Sequence, residues 1–427
     1  MKRIILVYIL LFFSVHAFAQ KEKDYLDLKS RYGFEVQRLA PVSFNLYVDR
    51  QGEKARPLIY ISLAIQNDLL QFRQMDDGYE AAYQVNIAIR QEELTFYTES
   101  LNEHVRLKTF EETNSRRIIQ KKNYIAKSHK FPAAPKTKQR KYQCHLEILD
   151  LVSKKAHHLK REFYIKPLSK DSCTFSDIGI FEGTADSAGR PFLLPRRKSL
   201  AFNKAYFALS RLYGASAAKA VRVFLKRKEG QVFNEWKTDT IKTVEDSAGL
   251  KILYEFPYKD FKEGQYRLIF KYNETQIKKD FEVIWFEKPI YLYKADLALR
   301  PLKYVIGEAL YDSVRSLPQE KLQKWFRQFW KERDDTPRTE FNELLFEYYK
   351  RVDYCNHHFS RRSLEGWETD RGKIYLLYGP PLKIENRRYS ANTLPYLIWT
   401  YEEGLQFLFV DKKDNGEFIL IENEIKE

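Results

Sequence analysis

Four residues near the carboxy terminus have side chains suited to moving protons: His357, His358, Asp370 and Arg371. Together they offer two imidazoles, a carboxylate and a guanidinium, enough for general acid–base catalysis where they converge on one point. Their spacing alone does not demand convergence. Asp353 precedes His357 by four residues on a helix and could share a metal with it, but no third ligand stands nearby, so a solvated helix face is the expectation. His157 and His158 fall among lysines at a hairpin end and are expected in solvent. Asp411, Asp414 and Asn415 read as a turn, because a calcium loop needs more oxygens and a later glutamate. The sequence has no Gly-x-Ser-x-Gly elbow, no His-Glu-x-x-His pair, no phosphate-cradling glycine loop and no Cys-His pair at a known catalytic interval. No catalytic residue is assigned, and no cofactor and no metal are expected.

The most distinctive stretch runs Gly366-Trp367-Glu368-Thr369-Asp370-Arg371-Gly372 and continues to Tyr378-Gly379-Pro380-Pro381. Trp367 can bury a large indole whose N–H needs one acceptor. Thr369 and Asp370 are short side chains able to accept backbone N–H groups and hold a turn. Gly372 lets the backbone pass close before Ile374 to Tyr378, which we read as a strand ended abruptly by Gly379-Pro380-Pro381. The stretch then reads as an architectural helix-to-strand junction. The competing reading is an envelope hydrolase, with Asp370 or His357 as proton-transfer group in a cleft between helices and sheet.

Gly366, Trp367, Thr369 and Asp370 match one for one the naming motif of the GWxTD-domain family of exported bacterial proteins, which the chain resembles over about residues 318 to 423. Asn356, His357 and Phe359 at the preceding helix end, the Tyr378-Gly379-Pro380 stop, Trp399 and Asp411 fit the same pattern. The resemblance implies an exported protein with a helical α+β terminal domain behind a β-rich region. It implies no reaction, since the family has no assigned activity.

The elements that must position these residues follow from periodicity. Ile59, Ile61, Leu63 and Ile65, then Tyr79, Ala81, Tyr83, Val85, Ile87 and Ile89, alternate with period two, as half-buried strands do. Asp77-Gly78 between them suits a hairpin turn. Tyr142 to Leu151 and Leu159 to Ile165 form another hairpin around Ser153-Lys154-Lys155, and Phe131 to Lys136 is a loop. A second β unit contains Val221, Val223 and Leu225, then Tyr266 to Tyr272 turning at Asn273-Glu274-Thr275 toward Phe281, Val283 and Trp285. Two immunoglobulin-like β-sandwich modules in series fit this spacing. Past Pro289 the period becomes 3.6: Leu322, Trp325, Phe326, Phe329 and Trp330 share one helix face. Thr336-Pro337 is read as opening a second helix with Phe341, Leu344, Leu345, Tyr348, Val352, Cys355 and Phe359 on its stripe. The pair is expected to pack as an αα-hairpin against a small antiparallel sheet containing Leu397, Trp399, Tyr401, Phe407, Phe409 and Phe418 to Ile421. The fold class is thus multidomain and mainly β, divided as 1–19, 20–170, 171–288 and 289–427.

Residues 1–19 read as a signal peptide: Lys2-Arg3, an apolar run from Ile4, and Ala17-Phe18-Ala19 as cleavage site. The protein is expected to be exported, periplasmic or extracellular, cleaved after Ala19, with no transmembrane span thereafter. The 427-residue chain has net charge +15, 44% apolar and 31% charged residues, which excludes global disorder. Three cysteines are too few for a disulfide-stapled scaffold; Cys144 and Cys355 sit at inward positions and Cys173 completes the set. The basic run Lys121 to Lys141 could attract polyanions or an anionic membrane surface, but a solvated face is the simpler reading, and nucleic acid is not expected. The function read from all this is a non-catalytic binding or scaffold protein presenting its β surfaces to a protein or glycan partner of the cell envelope.

Overall fold

The computed structural model describes residues 41–424 except 52–55, 116–118, 133–137, 168–172, 184–191, 196–197, 216–219, 247–248, 362–363 and 388–393. The signal segment and parts of the Phe131–Lys136 loop and of the basic run lie outside the described residues. The chain divides into two compact units, one spanning Arg38–Phe286 and one containing Glu287–Glu427.

The first half of the β unit comprises β1 (Val42–Gln51), β2 (Arg56–Gln66), β3 (Arg73–Met75), β4 (Gly78–Gln91), β5 (Leu94–Leu107), β6 (Ile119–Lys127), β7 (Arg140–Asp150) and β8 (Ala156–Ile165). β1, β2 and β6 form one antiparallel sheet, and β5, β4, β3, β7 and β8 another. Alternate residues of β2, β4 and β7, among them Ile59, Ile61, Val85, Ile87, Cys144 and Leu146, meet in a single core. Period two therefore predicted both the strands and their inward faces. The turn at Asp76-Asp77 closes with Met75 opposite Gly78, as expected. β1 and the polar β5 carried no sequence signal of their own; pairing with β2 and β4 makes them strands.

The second half comprises β9 (Thr174–Phe175), β10 (Gly179–Glu182), β11 (Phe192–Leu193), β12 (Ser199–Ala201), β13 (Tyr206–Tyr213), β14 (Ala220–Glu229), β15 (Val232–Lys242), β16 (Val244–Asp246), β17 (Gly249–Glu255), β18 (Gly264–Tyr272) and β19 (Thr275–Ile284). They build two more sheets, with β12 parallel to β19, over a core containing Val223, Leu225, Leu268 and Phe270. Between the two halves Tyr47, Phe181, Leu193, Phe207 and Leu209 form a separate apolar cluster. Beside it Asp49 and Arg211 make a buried ion pair, and Asn45 donates its side-chain amide to the Leu194 carbonyl at 2.8 Å. These contacts unite two sets of sheets that sequence reading separates.

The carboxy-terminal unit holds α1 (Ala295–Ile306), α2 (Glu308–Arg315), α3 (Gln319–Lys331), α4 (Glu343–Phe359) and α5 (Asp370–Tyr378), then β20 (Lys383–Arg387), β21 (Tyr396–Thr400), β22 (Gln406–Val410) and β23 (Ile419–Glu424) in one antiparallel sheet. α3 and α4 meet where Trp330 touches Tyr348 and Tyr349. Three expectations need correction. Ile374 to Tyr378 is helix: Thr369 caps it by accepting the Gly372 N–H at 3.1 Å, and Gly379 at φ 80° ends it. A short apolar run cannot itself distinguish helix from strand, and the cap decides. The second predicted helix starts seven residues later than Thr336, because Asn342 caps it through the Leu345 N–H at 2.7 Å. Leu344, placed on its apolar stripe, is exposed.

Candidate functional site

The motif is assembled around one indole. α4 ends at Phe359, and the chain doubles back so that Gly366 and Trp367 lie against its last turn. The Ser360 hydroxyl donates to the Asn356 carbonyl at 2.7 Å and accepts the Gly366 N–H at 2.9 Å. The Trp367 N–H donates to the Asn356 side chain at 3.4 Å. A Cβ on Gly366 would stand 1.8 Å from the Cys355 carbonyl oxygen, and one on Gly372 would stand 2.0 Å from the Gly366 oxygen. Both glycines are required by close backbone approach, as expected for Gly372.

Trp367 is 1% exposed. Its Nε1–H donates to Glu365 Oε2 at 2.7 Å and to Tyr291 Oη at 2.8 Å. The Tyr291 hydroxyl donates to the same Glu365 carboxylate, whose other oxygen accepts from Arg300 at 3.2 Å. Arg300 and Lys303 also lie over the indole, 5.5 and 5.0 Å from the ring, and Tyr304 meets it edge-on at 6.0 Å. Burial pushes the Tyr291 phenol up to about 12, opposed by hydrogen bonds from Asn356 and Trp367. Burial likewise raises the Cys355 thiol, which sits against the Gly372 carbonyl. Cys144 is also buried; all three cysteines are free.

The remaining motif side chains hold the junction to its surroundings. Besides capping α5, the Thr369 hydroxyl donates to the Gly366 carbonyl at 2.7 Å. Asp370 Oδ2 accepts the Leu420 N–H at 2.8 Å and ties α5 to β23. Arg371 is buried between the rings of Phe359 and Phe418, 4.8 and 4.9 Å away. The Gly379 carbonyl accepts from Tyr401 at 3.0 Å; Tyr378 and Pro380 are exposed. Trp399 is buried beside Phe359 and Phe409. Asp411 is buried and accepts the N–H groups of Lys413, Asn415 and Gly416, the turn anticipated there.

A cleft of about 110 Å³ opens beside the motif, lined by Arg361, Glu368, Asp370, Arg371, Glu417 and Phe418 among others. That is below the ~300 Å³ at which small-molecule sites begin. Asp370 and Arg371 face it; His357 and His358 are not in its lining. Instead His358 packs on Tyr354 at 4.1 Å with the ring planes tilted by 34°, and His357 meets His358 edge-on at 4.8 Å. The structure therefore does not bring the four sequence-predicted groups together around this cleft. Asp353 accepts the Ile290 N–H, and no group of three or more metal-binding side chains occurs among the described residues. Within the basic run, Lys121 binds Glu182 at 2.7 Å, Lys122 binds Glu103, and Lys141 binds Glu162 at 2.8 Å. No helix among the described residues is long and apolar enough to cross a membrane.

Sequence reading missed Glu365, Tyr291 and Arg300, the indole's polar partners. Glu365 adjoins the motif and pairs by spacing with Glu368, whose carboxylate accepts the Glu365 N–H at 3.1 Å. That interval was a usable signal; Tyr291 and Arg300, far upstream, offered none.

These features define a mainly β chain that ends in an α+β unit organised around a buried, hydrogen-bonded tryptophan. Residues 258–424 match the family model described as the GWxTD domain, so the chain carries a GWxTD domain over those residues. The match reaches back into the β unit, taking in β18 and β19. No curated protein matches the chain. Among solved structures, a titin fragment entitled "Anomalous substructure of Titin-A168169" is similar at 8% identity with a TM-score of 0.15, over 57% of this chain and 97% of that one.

Proposed function

We propose that the chain is an exported binding or scaffold protein of the cell envelope, not an enzyme. On this reading Met1 to Ala19 is removed on export to the periplasm or beyond. The two halves of the β unit are immunoglobulin-like sandwiches that present surfaces to a protein or glycan, and α3 with α4 forms a helical hairpin behind the terminal sheet. The observation that carries the proposal is the internal use of the motif. Trp367, Thr369 and Asp370 each bond to groups of the same unit, which is how residues that shape a fold are used. The carboxylate partners of Lys121, Lys122 and Lys141 favour a solvated basic face over a polyanion site.

The test pairs Asp370→Asn with the wild-type chain, both lacking the signal segment, in pull-downs from cell envelopes alongside thermal melting. Asp370→Asn is expected to melt earlier and to capture partners in proportion to its folded fraction. An unchanged melting temperature with lost capture would refute the architectural role. An empty pull-down together with turnover on wall polymers would favour the hydrolase.

A further inference from the structure

Among the described residues β20 is one of the two edge strands of its sheet. Among the described residues it pairs only with β21, so one side of its backbone faces no other strand. Edge strands are usually guarded by charge or covered, since unpaired N–H and C=O groups invite a further strand. β20 does place Lys383, Glu385 and Arg387 on one face. The other face carries Ile384 and Asn386, with Leu382 just before the strand; Leu382 and Ile384 are 70% and 55% exposed.

That second face is continuous with the core. Ile384 lies opposite Trp399 in the ladder, and Trp399 lies 6.3 Å from Tyr375. Tyr375 stacks on Tyr354 at 4.4 Å with planes only 10° apart, and Tyr354 is itself partly exposed. Tyr378, half exposed, extends from Phe407 at 5.1 Å. Trp399 and Tyr375 are buried, so the apolar side chains exposed at this edge are Leu382 and Ile384, the latter seated directly across the ladder from the core residue Trp399. A strand added there would hydrogen-bond to β20 and lay every second side chain beside Ile384.

The opposite face decides the character of the occupant. Lys383 holds Glu385 at 2.8 Å, which leaves Arg387, exposed at the strand end, as the excess charge. Side chains directly across a ladder interact, and opposite charges stabilise the pairing. We propose that the β20 edge takes up an extended segment of a partner protein, apolar on the core side and acidic on the other. The proposal rests on the binding reading above and gives it a surface.

A synthetic peptide of about eight residues, alternating valine and aspartate, is the probe, with a valine–lysine peptide as control, added to the chain lacking only its signal segment. Hydrogen exchange read by mass spectrometry should slow in residues 382–387 with the aspartate peptide. Ile384→Asp should weaken binding at least about tenfold without moving the melting temperature, and the lysine peptide should bind more weakly at low salt. Protection elsewhere, none at all, or equal binding by Ile384→Asp overturns the proposal. So does self-association that Ile384→Asp abolishes, which would seat a second copy on the edge. Envelope pull-downs separate the two levels: unchanged capture by Ile384→Asp sinks the edge alone, whereas no capture by either chain sinks the binding reading.

Discussion

Replacing Trp367 with Phe removes the indole N–H that donates to Glu365 and Tyr291. The indole is 1% exposed, and its N–H reaches Glu365 Oε2 at 2.7 Å. A hydrogen bond to a charged group contributes about 1.5–3 kcal/mol, and losing one ring of the bicycle adds a cavity cost of about 1 kcal/mol. The expected loss is about 2.5–4 kcal/mol. Glu365→Gln loses the same charge-assisted bond and the Arg300 pairing, so the two substitutions overlap. In a double-mutant cycle followed by urea unfolding and circular dichroism, the double variant should be less destabilised than the summed singles by about 1–2 kcal/mol. A loss below about 1 kcal/mol for Trp367→Phe, or strict additivity, would show that the indole is not held by Glu365 and that the motif is not anchored through it.

Asp49→Ala takes the buried carboxylate from Arg211 and is expected to cost about 3–5 kcal/mol, whereas adding Arg211→Met should recover much of it; denaturant midpoints of the single and double variants check this. Tyr291 carries a phenol raised to about 12 by burial, against about 10 for an unfolded tyrosine. The folded state therefore keeps its proton where the unfolded state loses it, so this contribution is intact below pH ~10 and lost as pH rises toward ~12. It amounts to roughly 2–3 kcal/mol; a Tyr291→Phe chain whose stability falls as steeply as wild type between those limits would contradict the assignment.

Legibility varied with how much of each signal is local. Ile59 to Ile65 and Val85 to Ile89 alternate in the sequence and are buried in the fold, because a strand with one dry face must repeat every two residues. Cys144 was placed inward by the same rule. α3 was equally plain, since its apolar face repeats at helical spacing. The segment Ile374 to Tyr378 defeated the rule: five residues are too few to distinguish the periods, and the Thr369 cap settled the matter. Gly372 was read correctly for its close approach, while the same demand at Gly366 became visible only with the Cys355 carbonyl in place.

Sequence alone thus determined the chain's β-then-helical order, the inward faces of its long strands, and the motif of its GWxTD domain, all of them properties of spacing along the backbone. Only the tertiary structure decided that Glu365, Tyr291 and Arg300 surround the indole, that Asp49 meets Arg211, and that Asp370 serves the Leu420 N–H. Those contacts join residues separated by up to 162 positions, and burial rather than sequence interval selects which polar groups must find one another.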